Sequence, residues 1–141
     1  MFQSRDEARQ VYLAVWRKMR RSQVLEPMEG LIAEVIEIHP EYHALLDDGE
    51  TTKQAEFTAE QGQTNPFLHM GMHIALREQA HSNRPVGVQA LYQKLVAAKG
   101  RHDAEHAMMD CLGQALWQAQ RDGAEPDQDN YLECLRKLGN L

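Results

Sequence analysis

Aromatic residues make up only 6% of this 141-residue chain and cysteine occurs twice, so a disulfide-stapled framework or a zinc ribbon is not written into it. No apolar run approaches the roughly 18 to 20 residues that span a bilayer. The N-terminus, MFQSRDEARQ, lacks the basic-then-apolar order of a secretion signal. These absences set the expectation of a cytoplasmic protein with no membrane segment, in which Cys111 and Cys134 are buried free thiols. A glycine-rich phosphate loop, an H-E-x-x-H block and a serine in a nucleophile-elbow context are also missing. Positive charge is in deficit: the net charge of -6 argues against nucleic acid as the main partner. The first 21 residues are the exception, with six cations against two carboxylates, or +4, which leaves -10 for the rest. Lys18, Arg20 and Arg21 close a helical segment, where the negative end of the helix dipole is reason enough for them.

What remains is ample for folding. The apolar fraction of 43% suits one domain over residues 1–141 with a hydrophobic core. Ser4 with Glu7 reads as a capping box, and Val11, Tyr12, Val15, Trp16 and Met19 give a helix over residues 5 to about 22. Glu26-Pro27 opens a second helix that stops at His39, because a residue before proline avoids helical backbone angles. A short helix over 40–47 follows, and Asp48-Gly49 turns the chain. Residues 49–64 are polar, with Phe57 their single obvious anchor, and are expected to form a long loop. Asn65-Pro66 starts a helix to about residue 80 whose apolar residues point nearly all round, the pattern of an element surrounded by protein. Helices over 86–98, 101–122 and about 127–138 complete an all-α, compact single-domain bundle of five to six helices, with no strand and no internal repeat.

Histidine is where the composition becomes unusual. Six of the seven histidines fall in pairs four residues apart: His39 with His43, His69 with His73, and His102 with His106. Random placement would give only about 0.3 such pairs. On a helix, side chains four apart share a face about 5 to 6 Å apart, close enough to offer two imidazoles to one ion. His69 and His73 stand about 40° apart on their helix, beside Leu76 and Met72, and so face an apolar interior. His102 and His106 repeat the arrangement at the edge of an apolar stripe, with Glu105 and Asp110 flanking them as extra ligands or supporting acceptors. Two antiparallel helices can close a metal site from such pairs. Imidazole with carboxylate favours zinc or iron, and manganese, nickel and copper are also compatible. Histidines satisfied in a core are the bland alternative, and Met70, Met72, Met108 and Met109 beside them read as core filler before copper ligands. Pro40 places His39 at a cap, so His39 and His43 need not point together. His81, with Glu78 three residues before it, faces away from the first pair and reads as surface.

The blocks HPEYHALL, NPFLHMGMHIALREQ and RHDAEHAMMDCLGQALWQAQRDG resemble those of an uncharacterised bacterial domain-of-unknown-function family of small proteins, nearly end to end. The resemblance implies a bacterial, cytoplasmic protein and brings no activity or ligand with it. The functional expectation is a transition-metal site built from His69, His73, His102 and His106, with Glu105 and Asp110 nearby. An open coordination position there would support hydrolysis by metal-activated water, or oxygen chemistry with iron; a closed one would be structural or a store. The rival expectation is a metal-free helical module that binds another protein through the basic Trp16–Arg21 segment or the polar loop, and a homo-oligomer is a further possible partner state.

Overall fold

A computed structural model describes residues 5–55 and 65–139, and every regular element among them is helical. In chain order they are α1 (Arg5–Arg20), α2 (Pro27–Glu37), a 3₁₀ turn (Pro40–Tyr42), α3 (His43–Asp47), α4 (Gly49–Gln54), α5 (Pro66–Ser82), α6 (Val88–Lys99), α7 (Arg101–Asp122) and α8 (Gln128–Leu138). The expected Ser4 cap and the Phe57 anchor lie outside the described residues. The all-α class stands, but the helices exceed the expected five to six. Part of the excess is α4, where a loop was expected from Gly49: its Thr52 amide donates back to the Asp48 carbonyl at 3.0 Å, and the Thr52 hydroxyl donates to the Leu45 carbonyl. No described helix is long and apolar enough to cross a membrane.

The chain divides into two compact units, Met1–Ile74 and Ala75–Leu141, with the boundary inside α5. In the first unit, α1 contributes Tyr12, Leu13, Val15 and Trp16 to a core completed by Ile32, Ala33, Val35 and Ile36 of α2, Leu46 of α3, and Phe67 and Met70 of α5. The spacing of three and four within each helix is what puts these residues on one face. Polar groups fix how the helices meet. The Trp16 indole donates to Asp47 at 2.8 Å, and the buried Arg9 guanidinium lies 4.9 Å from the Phe67 ring centroid while donating to the Ala55 carbonyl at 2.7 Å. At the start of α2, Glu29 accepts from the Glu26 amide and from Lys18, and these bonds hold its carboxyl below the usual range.

In the second unit, Val88, Leu91 and Leu95 of α6 and Ala104, Met108, Met109 and Leu112 of α7 are buried, as are Tyr131, Leu132 and Leu135 of α8. The Tyr131 hydroxyl donates to Gln79 of α5 at 2.6 Å, and burial raises its pKa. Helix α7 ends at Gly123, whose φ of +62° is the left-handed conformation glycine adopts without strain, and its amide returns to the Ala119 and Gln120 carbonyls. Asp127 caps α8 by accepting from the Asn130 amide at 3.1 Å.

Two expectations are corrected here. Helix α5 is not apolar-buried all round: Leu68 is 63% exposed, and the buried residues are Pro66, Phe67, Met70, His73, Leu76 and Arg77. The cysteines are not free thiols, because Cys111 of α7 and Cys134 of α8 are joined by a disulfide with their Cα atoms 5.8 Å apart. Sequence alone cannot pair two residues 23 apart on different helices; only the packing of α8 on α7 brings them together. Disulfides persist in oxidising surroundings, so the pairing removes one support for the cytoplasmic expectation. Closing a loop of this size should stabilise the fold by about 3 kcal/mol through the unfolded chain. Urea unfolding with and without reductant measures it, alongside alkylation of the denatured protein. The expected result is no reactive thiol before reduction and a lower midpoint after it; two alkylated cysteines in the unreduced protein would contradict the pairing.

Candidate metal centre

The centre is assembled in the first unit from the turn that follows α2 and the first half of α5. Pro40 cannot donate a backbone hydrogen bond and pushes the preceding residue out of helical geometry, so α2 ends and His39 adopts φ -124° and ψ 62°. That turn gives His39 a direction that no continuation of α2 would. Its ring lies 4.9 Å from the His69 ring and 4.7 Å from the His73 ring, while His69 and His73 are 4.9 Å apart, centroid to centroid. Asn65 holds the start of α5 by accepting from the Phe67 and Leu68 amides at 3.0 and 3.2 Å, which sets the helical register of both its histidines. His39 is 1% exposed, His73 is 0% exposed, and His69 is half-buried.

These three histidines each offer a ring nitrogen, and the nitrogens lie within 4.8 Å of one another. In a tetrahedral zinc site with bonds of about 2.0 to 2.1 Å, ligand nitrogens stand about 3.3 Å apart. The proton on His39 is settled by its neighbour. Nδ1 is 2.8 Å from the Val35 carbonyl, which can only accept, so Nδ1 carries the hydrogen, and in the neutral ring Nε2 is then the nitrogen with the lone pair that a metal requires. Metal-bound histidines commonly use such a carbonyl to fix ring orientation. Tyr42 lies parallel to the His39 ring at 5.4 Å and edge-on to His69 at 6.3 Å. Burial, and then the charge of Glu41, raises its phenol pKa.

His39 is the residue that sequence reasoning demoted. Pro40 does separate it from His43, which turns to the Trp16 ring at 4.5 Å and donates from Nε2 to the Ile36 carbonyl at 2.9 Å. What was missed is that the same break aims His39 at the α5 pair. A histidine beside a proline, just after a long buried helix, is the signal that was available.

In the second unit, His102 and His106 stack edge-to-face at 4.1 Å, with His102 exposed and His106 half-buried. Glu105, expected to be a ligand or a supporting acceptor, is fully buried in a polar network. Arg77 Nε donates to its two oxygens at 3.0 and 3.3 Å and Nη2 to one of them at 3.2 Å. The Tyr92 hydroxyl donates at 2.6 Å, while Arg101 Nε stands 3.8 Å away and donates to Tyr92. Burial, and then the hydrogen bond to Glu105, raises the Tyr92 pKa. Asp110 and His81 are exposed.

The family model described as "Domain of unknown function (DUF1841)" matches residues 4–137, and the chain belongs to that family. No curated protein and no solved structure matches it.

The Arg77–Glu105 pair is buried on both sides, with side chains 4% and 0% exposed. Removing one partner strands the other charge, so Glu105→Ala should cost about 3 to 5 kcal/mol, whereas replacing both by apolar residues (Arg77→Met with Glu105→Leu) should recover most of the loss. Urea denaturation of both variants tests this. A single-variant cost below about 1 kcal/mol, the range of exposed pairs, would contradict the network as described.

Proposed function

Because membership of this family carries no assigned activity, we propose from the geometry that the protein binds a transition metal through His39, His69 and His73, with zinc or iron the leading candidates. The observation that carries the proposal is the convergence of three buried or half-buried imidazoles, one with its tautomer already fixed by the Val35 carbonyl. Imidazole donors suit zinc, iron, nickel and copper. On the sequence pattern, the HDAEH block of α7 adds His106 as a further donor and His102 as an outer one. Glu105, held by Arg77 and Tyr92, acts as the carboxylate that fixes α7, and Asp110 is a supporting acceptor at most. With an open coordination position the ion would activate water or oxygen; with all positions filled it would be structural or stored.

Metal content and thermal stability test the reading together. Protein loaded with zinc or iron(II) and desalted should retain close to one equivalent. Saturation at about 100 times the dissociation constant should add about 2.7 kcal/mol of stability. His73→Ala and His39→Ala should lose the metal and the stabilisation while keeping helix content, and His106→Ala should weaken binding. If wild-type protein retains only traces of every metal offered, and His73→Ala lowers stability with no metal effect, these are core histidines and the reading is wrong.

A further inference from the structure

The Cys111–Cys134 disulfide is not sealed in the core of the second unit. Helices α7 and α8 leave a cleft of about 330 Å³ between them, and both cysteines line it, with Gln114 and Gln118 of α7 and Asn130 and Lys137 of α8. A cleft of that size suits a small molecule. Gln114, Asn130 and Lys137 are exposed, so the cleft opens to solvent. The two cysteines are not equally reachable from it: Cys111 is 2% exposed, whereas Cys134 is half-buried. Disulfides are opened by a thiolate that attacks one of the two sulfurs, and access helps to decide which. Cys134 is the one presented. Charge of both signs surrounds it. Lys137 lies one helical turn after Cys134, and Asp127, the cap of α8, lies about two turns before it on the same cleft.

We propose that this cleft is a thiol–disulfide exchange site for a small thiol bearing both carboxylate and ammonium groups, as a cysteine peptide does, and that Cys134 is the sulfur it modifies. Lys137 receives the carboxylate and Asp127 the ammonium. The incoming thiolate forms a bond to the Cys134 sulfur as the Cys111–Cys134 bond breaks, and the electron pair of that bond leaves on the Cys111 sulfur. Cys111 then takes up the proton that the incoming thiol released. The products are a mixed disulfide at Cys134 and a thiol at Cys111. No further oxidant is consumed, because the protein disulfide is itself the oxidant. Attack by Cys111 on the mixed disulfide returns the starting state, and attack by a second small thiol releases a small disulfide and leaves both cysteines reduced. The covalent tie between α7 and α8 thus answers to the small-thiol pool while the protein stays folded.

Two single-cysteine variants separate the sulfurs. Cys111→Ser keeps Cys134, and Cys134→Ser keeps Cys111; each is mixed with oxidised glutathione under native conditions and its intact mass is followed over time. Cys134 should be thiolated at least about tenfold faster than Cys111, because exposure governs thiol reactivity. Equal or reversed rates overturn the assignment. The same Cys111→Ser protein is then treated with cystamine, which carries ammonium groups but no carboxylate, and both rates are divided by those of an unstructured cysteine peptide. Oxidised glutathione should be the faster reagent after this correction, and Lys137→Glu should remove its advantage. Cystamine reacting as fast or faster overturns the proposed class of thiol. Wild-type protein decides the matter if a variant fails to fold. Opening of its disulfide by dithiothreitol should be first order in the reagent and should change by less than about twofold across urea concentrations below the unfolding transition. A rate that climbs with urea in parallel with unfolding shows that the disulfide opens only in unfolded protein, and overturns the proposal.

Discussion

The candidate centre depends on how α2 ends. Pro40 stops the helix, and the Nδ1 of His39 then donates to the Val35 carbonyl of the last helical turn, so one backbone oxygen holds a buried imidazole in place. Everything else about the site follows from that fixed ring. His69 and His73 need only the regular rise of α5 to meet it, since four residues on a helix return a side chain to the same face. The core around them, from Tyr12 and Trp16 to Phe67 and Met70, sets the position of α2 and α5 in the first unit. Two of the imidazoles thus sit on a regular helix, and the third, in the turn after α2, is held by its bond to the Val35 carbonyl; such fixing is what a preorganised site requires.

The polar burial in the second unit has a different logic. Glu105 is satisfied by Arg77 and Tyr92, a bidentate guanidinium and a short phenol bond, and this is the arrangement that makes a buried carboxylate tolerable. Glu105 therefore serves folding first, and its neighbour His106 is carried on a helix whose orientation the network fixes. The Cys111–Cys134 disulfide ties α8 to that same helix. Tyr131 adds its hydroxyl bond to Gln79. Helix α7 is consequently the element of this unit with the most constraints on it.

Much of this was legible in the chain. The starts at Asn65-Pro66 and Glu26-Pro27 and the span of α7 follow from caps, proline and periodicity, which are local properties. His69 with His73 was readable because the spacing and the apolar neighbours lie on one helix. What escaped depended on contacts between elements. His39 was set aside by a correct local argument about Pro40, because nothing local tells where a chain goes after a break. The carboxylate of Glu105 looked available because its partner, Arg77, is 28 residues away. Helix α4 lacked apolar periodicity, and its bond from Thr52 to Leu45 spans a turn that the composition did not announce.

X-ray absorption of the zinc-loaded protein tests the central claim most directly, since it reads the atoms around the ion. Three or more imidazoles should appear as nitrogen scatterers at about 2.0 Å with the multiple scattering of histidine rings, and no sulfur near 2.3 Å. A shell dominated by oxygen without imidazole scattering, or one containing sulfur, would show that the metal lies elsewhere and that His39, His69 and His73 do not hold it.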